Sequence, residues 1–192
     1  MGLARLLSPF RTAVPTDDRG AVAQAPPVAL PRTPTARATE QLIDQIDDRV
    51  ALLHHRRTPL LAPPMDHIAV APCGVWIVHS RGHAGRIAAR RPMFGDPRLT
   101  IGGHDRSDLL ASLEQQVGYV ERALAHDHPD VAVRSALLFV DTEAPLVSTP
   151  HLGSYLFFGT PSVVRHLNSD GPLRPERIQV VAELLEARFP GA

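Results

Sequence analysis

The chain has 192 residues, with 20 basic and 20 acidic side chains and a formal net charge of zero. Every basic residue is arginine, and lysine is absent. That excludes a P-loop, a Schiff-base enzyme and any nuclease site built in its standard form on a catalytic lysine, because arginine keeps its proton at physiological pH. The zero balance also removes a global field for nucleic acid or an anionic membrane, leaving only local basic strips. The single cysteine, Cys73, excludes an intramolecular disulfide framework and a multi-cysteine zinc site. It fits a reducing cytoplasm.

Residues 1–35 read as a flexible tail. Pro9, Pro15, Pro26, Pro27, Pro31 and Pro34 punctuate it, and it has too few apolar residues to offset the entropy of ordering. Leu3, Leu6 and Leu7 permit a short helix able to dock on a partner. Arg5, Pro9 and Arg11 interrupt the start, so its uncharged runs are too short for a signal-peptide core or a membrane span. Leu6 stands where a myristoylation signal wants Ser or Thr. A soluble, cytoplasmic protein without a membrane partner is expected.

The folded part is expected over 36–192. Leu42, Ile43 and Ile46 predict a helix over Ala36–Val50. A strand follows over Ala51–Arg57, then a loop over Leu60–Pro64. Asp66–Pro72 and Val75–Ser80 read as a hairpin turning at Cys73-Gly74. Gly82–Gly85 reads as a turn, and Arg86–Ala89 and Arg98–Ile101 as shorter strands. Asp105–Leu124 carries Leu109, Leu110, Leu113, Val117, Val120 and Leu124 on one helical face. Val131–Asp141 is a nearly continuous apolar run, the mark of a central strand buried on both faces. Ser154–Phe158 is another strand. Pro161–Leu167 reads as a helix capped by Thr160, and Pro175–Phe189 as the last helix, with Ile178, Val181, Leu184 and Leu185 inward. The order implies an α/β fold: a mixed central sheet of four to six strands flanked by helices.

Nucleotide-loop, zincin, nucleophile-elbow and C-x-x-C motifs are all missing. What remains is geometric. A hairpin turning at Cys73-Gly74 brings Asp66 opposite His79-Ser80-Arg81 at its open end, and Glu40 on the preceding helix is within reach of that end. Many metal-dependent nucleases set a carboxylate on one strand and acid-x-lysine on the next. There the acids hold Mg²⁺ and the lysine activates water.

On these residues the chain resembles the nuclease-related domain (NERD) family of bacteria, itself similar to the restriction-endonuclease-like PD-(D/E)xK fold. The likeness runs from Thr39 to Pro190. Thr39-Glu40 stands for the family's Gly-Glu, and Met65-Asp66-His67-Ile68-Ala69-Val70 for its Ile-Asp-His strand, followed by Pro72-x-Gly74-Val75. His79-Ser80-Arg81 stands for its Asp/Glu-x-Lys, with Gly85-Arg86-Ile87 beyond it. Gln116-Val117 matches its Gln-Val helix. Ile101–Arg106 and Pro172–Ile178 also look like actinobacterial members.

The resemblance implies a site at Glu40, Asp66, His79, Arg81 and Gln116, with two departures. His79 replaces an acid, and imidazole is a poor ligand for Mg²⁺; Arg81 replaces the lysine and cannot act as a general base. A catalytically weak or inactive nuclease-fold protein is expected. An active nuclease with a rearranged site and a non-enzymatic interaction domain are the alternatives.

No cofactor is required by the sequence. Mg²⁺, Mn²⁺ or Zn²⁺ is the class a metal would come from, with Asp66, His79 and Glu40 as ligands and His67 or His83 as further donors. Plainer roles stand beside these. Asp66 can cap a strand or pair with an arginine, Glu40 can serve the helix dipole, and Gln116 can make a structural hydrogen bond. His79 and Arg81 can be drift at a released site, His67 a packed histidine, and His126-Asp127-His128 a solvated loop. Arg81, Arg86, Arg90 and Arg91, with Arg56 and Arg57 nearby, can line a strip that contacts nucleic-acid phosphates, or can form an ordinary charged face.

Overall fold

The structure is a computed structural model that describes residues 33–59, 62–82, 86–90, 93–140, 151–152 and 154–192. The expected tail up to residue 32 lies outside the described residues. So do residues 60–61 of the expected loop, positions 83–85 of the expected turn, and Arg91.

Helix α1 spans Pro34–Gln45. Thr33 caps it by accepting from the Ala36 amide at 3.1 Å, and Pro34 takes the first turn, where its missing N–H costs nothing. The helix thus starts two residues ahead of the expected boundary and stops well short of Val50. The stop is local. The Asp47 carboxylate accepts from the Arg49 amide at 2.9 Å, and the Asp47 amide donates to Asn168 Oδ1 at 3.1 Å. An Asx turn of this kind competes with the helix ladder. Leu42 is buried, but Ile43, expected beside it, is 54% exposed.

Three antiparallel strands follow: β1 (Ala51–Arg56), β2 (Met65–Ala71) and β3 (Gly74–Arg81). The register pairs Ala51 with Val70, and Ala71 with Gly74. The turn therefore lies at Pro72-Cys73, one residue earlier than expected. Gly74 is a strand residue with φ 127°, and a Cβ there would stand 2.7 Å from the Ala132 carbonyl oxygen. The same carbonyl accepts the Val75 amide at 2.9 Å. Glycine is present because another backbone comes this close.

Strands β4 (Ile87–Arg90), β5 (Arg98–Ile101) and β6 (His104–Asp105) form a separate antiparallel sheet. The last of these stands where the sequence reads the start of a helix. Helix α2 begins only at Asp108 and runs to Leu124, because Asp105 is occupied in binding the amide and hydroxyl of Ser107. Strand β7 (Val133–Phe139) then lies parallel to β3, and β9 (Ser154–Phe158) parallel to β7, with the two-residue β8 (His151–Leu152) antiparallel at the edge. The main sheet is mixed, in the order β1-β2-β3-β7-β9-β8.

Helices α3 (Thr160–Leu167) and α4 (Pro175–Arg188) complete the fold. Thr160 is the first residue of α3 rather than its cap. Gly159 is the cap, and the Thr160 hydroxyl donates to Gln41 Oε1 on α1.

Two apolar clusters fill the two sides of the main sheet. Ile68, Val70, Val75, Ile77, Leu137 and Phe139 pack against α2 and α4. Ala69, Ala71, Trp76, Val78, Ala136 and Leu138 pack against α1 and α3. This is the period-two alternation of strands buried on both faces. Among the described residues no helix is long and apolar enough to cross a membrane.

Two glycines separate steric need from mere occupancy. Gly74→Ala is expected to lower unfolding free energy by about 1–3 kcal/mol, through positive φ and the clash with Ala132. In Gly118→Ala the new methyl meets only the flexible Arg122 side chain, at 3.2 Å. That change is expected to add up to about 1 kcal/mol through helix propensity. Denaturant titration of the two variants measures both.

Candidate functional site

The open end of the β2–β3 hairpin gathers four of the five residues expected there. Strand alternation sends Asp66, His79 and Arg81 to the side of the sheet covered by α2, where Gln116 comes down from the helix. Asp66 Oδ2 accepts from the Ser80 amide at 2.9 Å and from Arg81 Nη1 at 3.1 Å. The same Nη1 donates to the Ser80 carbonyl at 2.8 Å, and Arg81 Nη2 lies 3.1 Å from His79 Nδ1. His79 Nε2 lies 2.7 Å from Gln116 Oε1, and Gln116 Nε2 donates to the Pro63 carbonyl at 3.2 Å.

Donor and acceptor rules fix the protons along this chain. A guanidinium only donates, so His79 Nδ1 is an acceptor, Nε2 carries the hydrogen, and Gln116 presents its oxygen. His79 is therefore neutral. Burial lowers its pKa first, Asp66 opposes this, and Arg81 adds to the lowering. His79 and Gln116 are 2% and 1% exposed, so both need these partners. Gln116 does a structural job: it satisfies the imidazole and ties the segment before β2 to α2.

Glu40 does not join them. Helix α1 packs on the opposite side of the sheet, in the cluster that contains Ala38 and Leu42, and Glu40 is exposed on it. The residue of α1 that reaches the hairpin is Thr39. Its hydroxyl lies 2.8 Å from His67 Nε2, while His67 Nδ1 lies 3.3 Å from the Val78 carbonyl. His67 is fully buried, with the His54 ring edge-on at 5.5 Å. Burial pulls its pKa down to about 4, against the opposing charge of Asp66. Both ring nitrogens are thus paired, Nδ1 with the Val78 carbonyl and Nε2 with the Thr39 hydroxyl, which also donates to the Thr35 carbonyl at 2.9 Å. The sequence singles out Thr39 only as the neighbour of Glu40, and nothing in it signals the bond to His67.

The donor set does not fit a divalent ion. Hard cations want several oxygens, and intermediate ones want free imidazole lone pairs. Here a guanidinium already sits on the Asp66 carboxylate, and the His79 Nδ1 lone pair is spent on the same group. Among the described residues no three His, Cys, Asp or Glu side chains come together as a metal site. The expected metal set of Asp66, His79 and Glu40 is thus not assembled, because two of the three face α2 and the third rides on α1. His83 lies outside the described residues.

The arginines part company as well. Arg81 is turned inward onto Asp66, with 31% of its side chain exposed. Arg56 pairs with Glu186 of α4 at 2.8 Å. Arg86 and Arg90 are exposed, and Arg90 stands directly across the β4–β5 ladder from Arg98. Ile87, Ala89, Leu99 and Ile101 of these strands pack on the core, so Arg90 and Arg98 face outward. The loop between them holds Met93 and Phe94 at 91% and 87% exposure. His126 and Asp127 are exposed at the end of α2, as a solvated loop requires.

No protein-family model, no curated protein and no solved structure matches the chain.

The buried imidazoles make stability pH-dependent. An unfolded histidine takes up its proton near pH 6.5, whereas folded His67 resists until about 4. The unfolded chain binds more protons in that interval, so stability is full above pH 6.5 and falls as pH drops towards 4. The contribution of His67 is on the order of 3 kcal/mol. The His67→Gln variant is expected to show a shallower fall than wild type over that window in parallel denaturant titrations.

Replacing Asp66 by Ala strips the Ser80 amide and Arg81 of their common acceptor. A loss of about 1–3 kcal/mol is expected in the same measurement.

Proposed function

We propose that this chain is a restriction-endonuclease-like domain related to the NERD nucleases that binds nucleic acid and does not cleave it. The observation that carries the reading is the ion pair between Arg81 and Asp66. A nuclease of this class needs its first-strand carboxylate bare for a metal ion and a dissociable proton on the residue in Arg81's place. Arg81 denies both. It occupies the carboxylate and cannot release a proton. The placement of Asp66 on one strand and His79-Ser80-Arg81 on the antiparallel neighbour supports the kinship. The closed hydrogen-bond chain supports the loss of chemistry.

Binding is supported by the outer face of the β4–β5 sheet. Arg86, Arg90 and Arg98 are exposed there; Asp105 lies near Arg98, and the like-charged Arg90 and Arg98 across the ladder gain further from an anion laid over them. Interactions of this kind position a phosphate backbone and read no sequence. The cytoplasm suits such a partner and suits the free thiol of Cys73.

Incubation of plasmid and single-stranded DNA with Mg²⁺ or Mn²⁺ is expected to give no cleavage by wild type or by the Asp66→Ala variant. The double variant His79→Asp with Arg81→Lys is expected to gain metal-dependent nicking. Cleavage by wild type that disappears in Asp66→Ala overturns the reading. Fluorescence anisotropy with a labelled duplex is expected to show salt-sensitive binding. Arg86→Ala with Arg90→Ala is expected to reduce the salt slope by about 2, near one unit for each phosphate no longer neutralised. No binding at low salt removes the nucleic-acid role.

A further inference from the structure

Among the described residues the main sheet is wider than its cover on the α2 side. Six strands about 4.8 Å apart span roughly 24 Å, and two helices packed about 10 Å apart cover only part of that. Helix α4 lies against β1 and β2, and α2 over β3 and β7. Where α2 overhangs the start of β7 and β9, a groove of about 940 Å³ remains. That is the size of a site for a small organic molecule.

Its floor departs from the apolar layer around it. Alternation along β7 sends Val133, Ser135, Leu137 and Phe139 to the α2 side, and along β9 it sends Ser154, Leu156 and Phe158 there. Two serines thus stand where the pattern calls for hydrocarbon. Both are buried, at 5% and 4% exposure, and their hydroxyls lie 2.8 Å apart. One hydroxyl donates to the other, which leaves one proton and several lone pairs for a third group.

The walls divide by polarity. Leu110, Val117 and Pro97 supply apolar surface, while Asp96, Asp108 and Glu114 stand on the rim. Asp108 has Arg106 at 3.5 Å. Among the described residues no ion-pair partner reaches Asp96 or Glu114. The cation in the lining, Arg134, is engaged elsewhere: it donates to the Cys73 carbonyl at 2.9 Å and lies 5.6 Å over Trp76, on the far side of the sheet.

We infer that this groove is a binding site for a small organic cation, a primary ammonium carried on a compact apolar body. The ammonium meets the rim carboxylates and the lone pairs of Ser135 and Ser154, and the body lies against Leu110 and Val117. A carboxylate ligand of the same shape is repelled, and a neutral alcohol gains only the apolar contact.

The test is titration calorimetry at pH 7 with phenethylamine, set against 3-phenylpropionate and 2-phenylethanol. Phenethylamine is expected to give saturable binding in the millimolar range or tighter, the alcohol weaker binding, and the anion none. Asp96→Asn with Glu114→Gln is expected to weaken phenethylamine about tenfold, two exposed charges at somewhat under 1 kcal/mol each. Both side chains are exposed, so the melting temperature is expected to hold. Ser135→Val is expected to weaken the amine while leaving 2-phenylethanol unchanged or tighter. This variant fills the floor without touching the rim. Equal affinity for amine and anion, no saturation by the amine, or unchanged affinity in the Asp96→Asn, Glu114→Gln variant each overturns the inference. The nucleic-acid reading rests on the opposite end of β3 and on the face carrying Arg86, Arg90 and Arg98, so a failure of amine binding by the wild-type protein leaves it standing.

Discussion

Strand β3 is buried from Gly74 to Ser80, and the rest of the molecule is arranged around that fact. It lies between an antiparallel neighbour and a parallel one, with helices on both sides. A strand so placed has no water for its polar side chains, so any it carries must find partners inside the protein. It carries two near its end, His79 and Ser80. The Asp66–Arg81–His79–Gln116 chain is the response on one side. On the other, the Ser80 hydroxyl is buried with no hydrogen-bond partner among the described residues, a local cost beside the hydrogen bonds of its main chain.

The same hairpin solves the histidine problem twice, in mirror fashion. His67 points to α1 and His79 to α2; burial holds each neutral, and each is bonded to one side-chain partner from the covering helix. These bonds fix how each helix sits on the sheet, since apolar contacts tolerate sliding and a directed hydrogen bond does not. A polar pair in each interface thus specifies register where hydrocarbon supplies the bulk of the stability.

Much of this was legible in the sequence. The continuous apolar run around Val133–Phe139 marked a central strand, and the 3/4 spacing of Leu109, Leu113, Val120 and Leu124 marked the face of α2, because both depend on burial alone. Opposing Asp66 to His79-Ser80-Arg81 needed only the hairpin. Four features escaped. The helix expected to reach Val50 ends early because Asp47 binds a backbone amide, which periodicity does not record. Strand β6 is two residues long and held by pairing with β5, which no local pattern shows. Glu40 was placed by proximity along the chain, whereas the side of the sheet that a helix covers is decided by tertiary packing. Ser135 and Ser154 gave no signal either, since two serines become notable only once the strands are aligned.

The opposed arginines of the second sheet have a further consequence. Like charges directly across a ladder destabilise it by about 0.2–1 kcal/mol, and salt screens them over about 10 Å. Elsewhere the surface holds attractive pairs, such as Arg49 with Asp47 and Asp170, or Arg177 with Asp130. Raising ionic strength therefore loosens those pairs while relaxing β4 against β5. The two parts of the molecule answer the same change in opposite directions, so a single melting temperature reports a compromise between them. The local opening of each sheet, followed by amide exchange, is the quantity that ionic strength tunes.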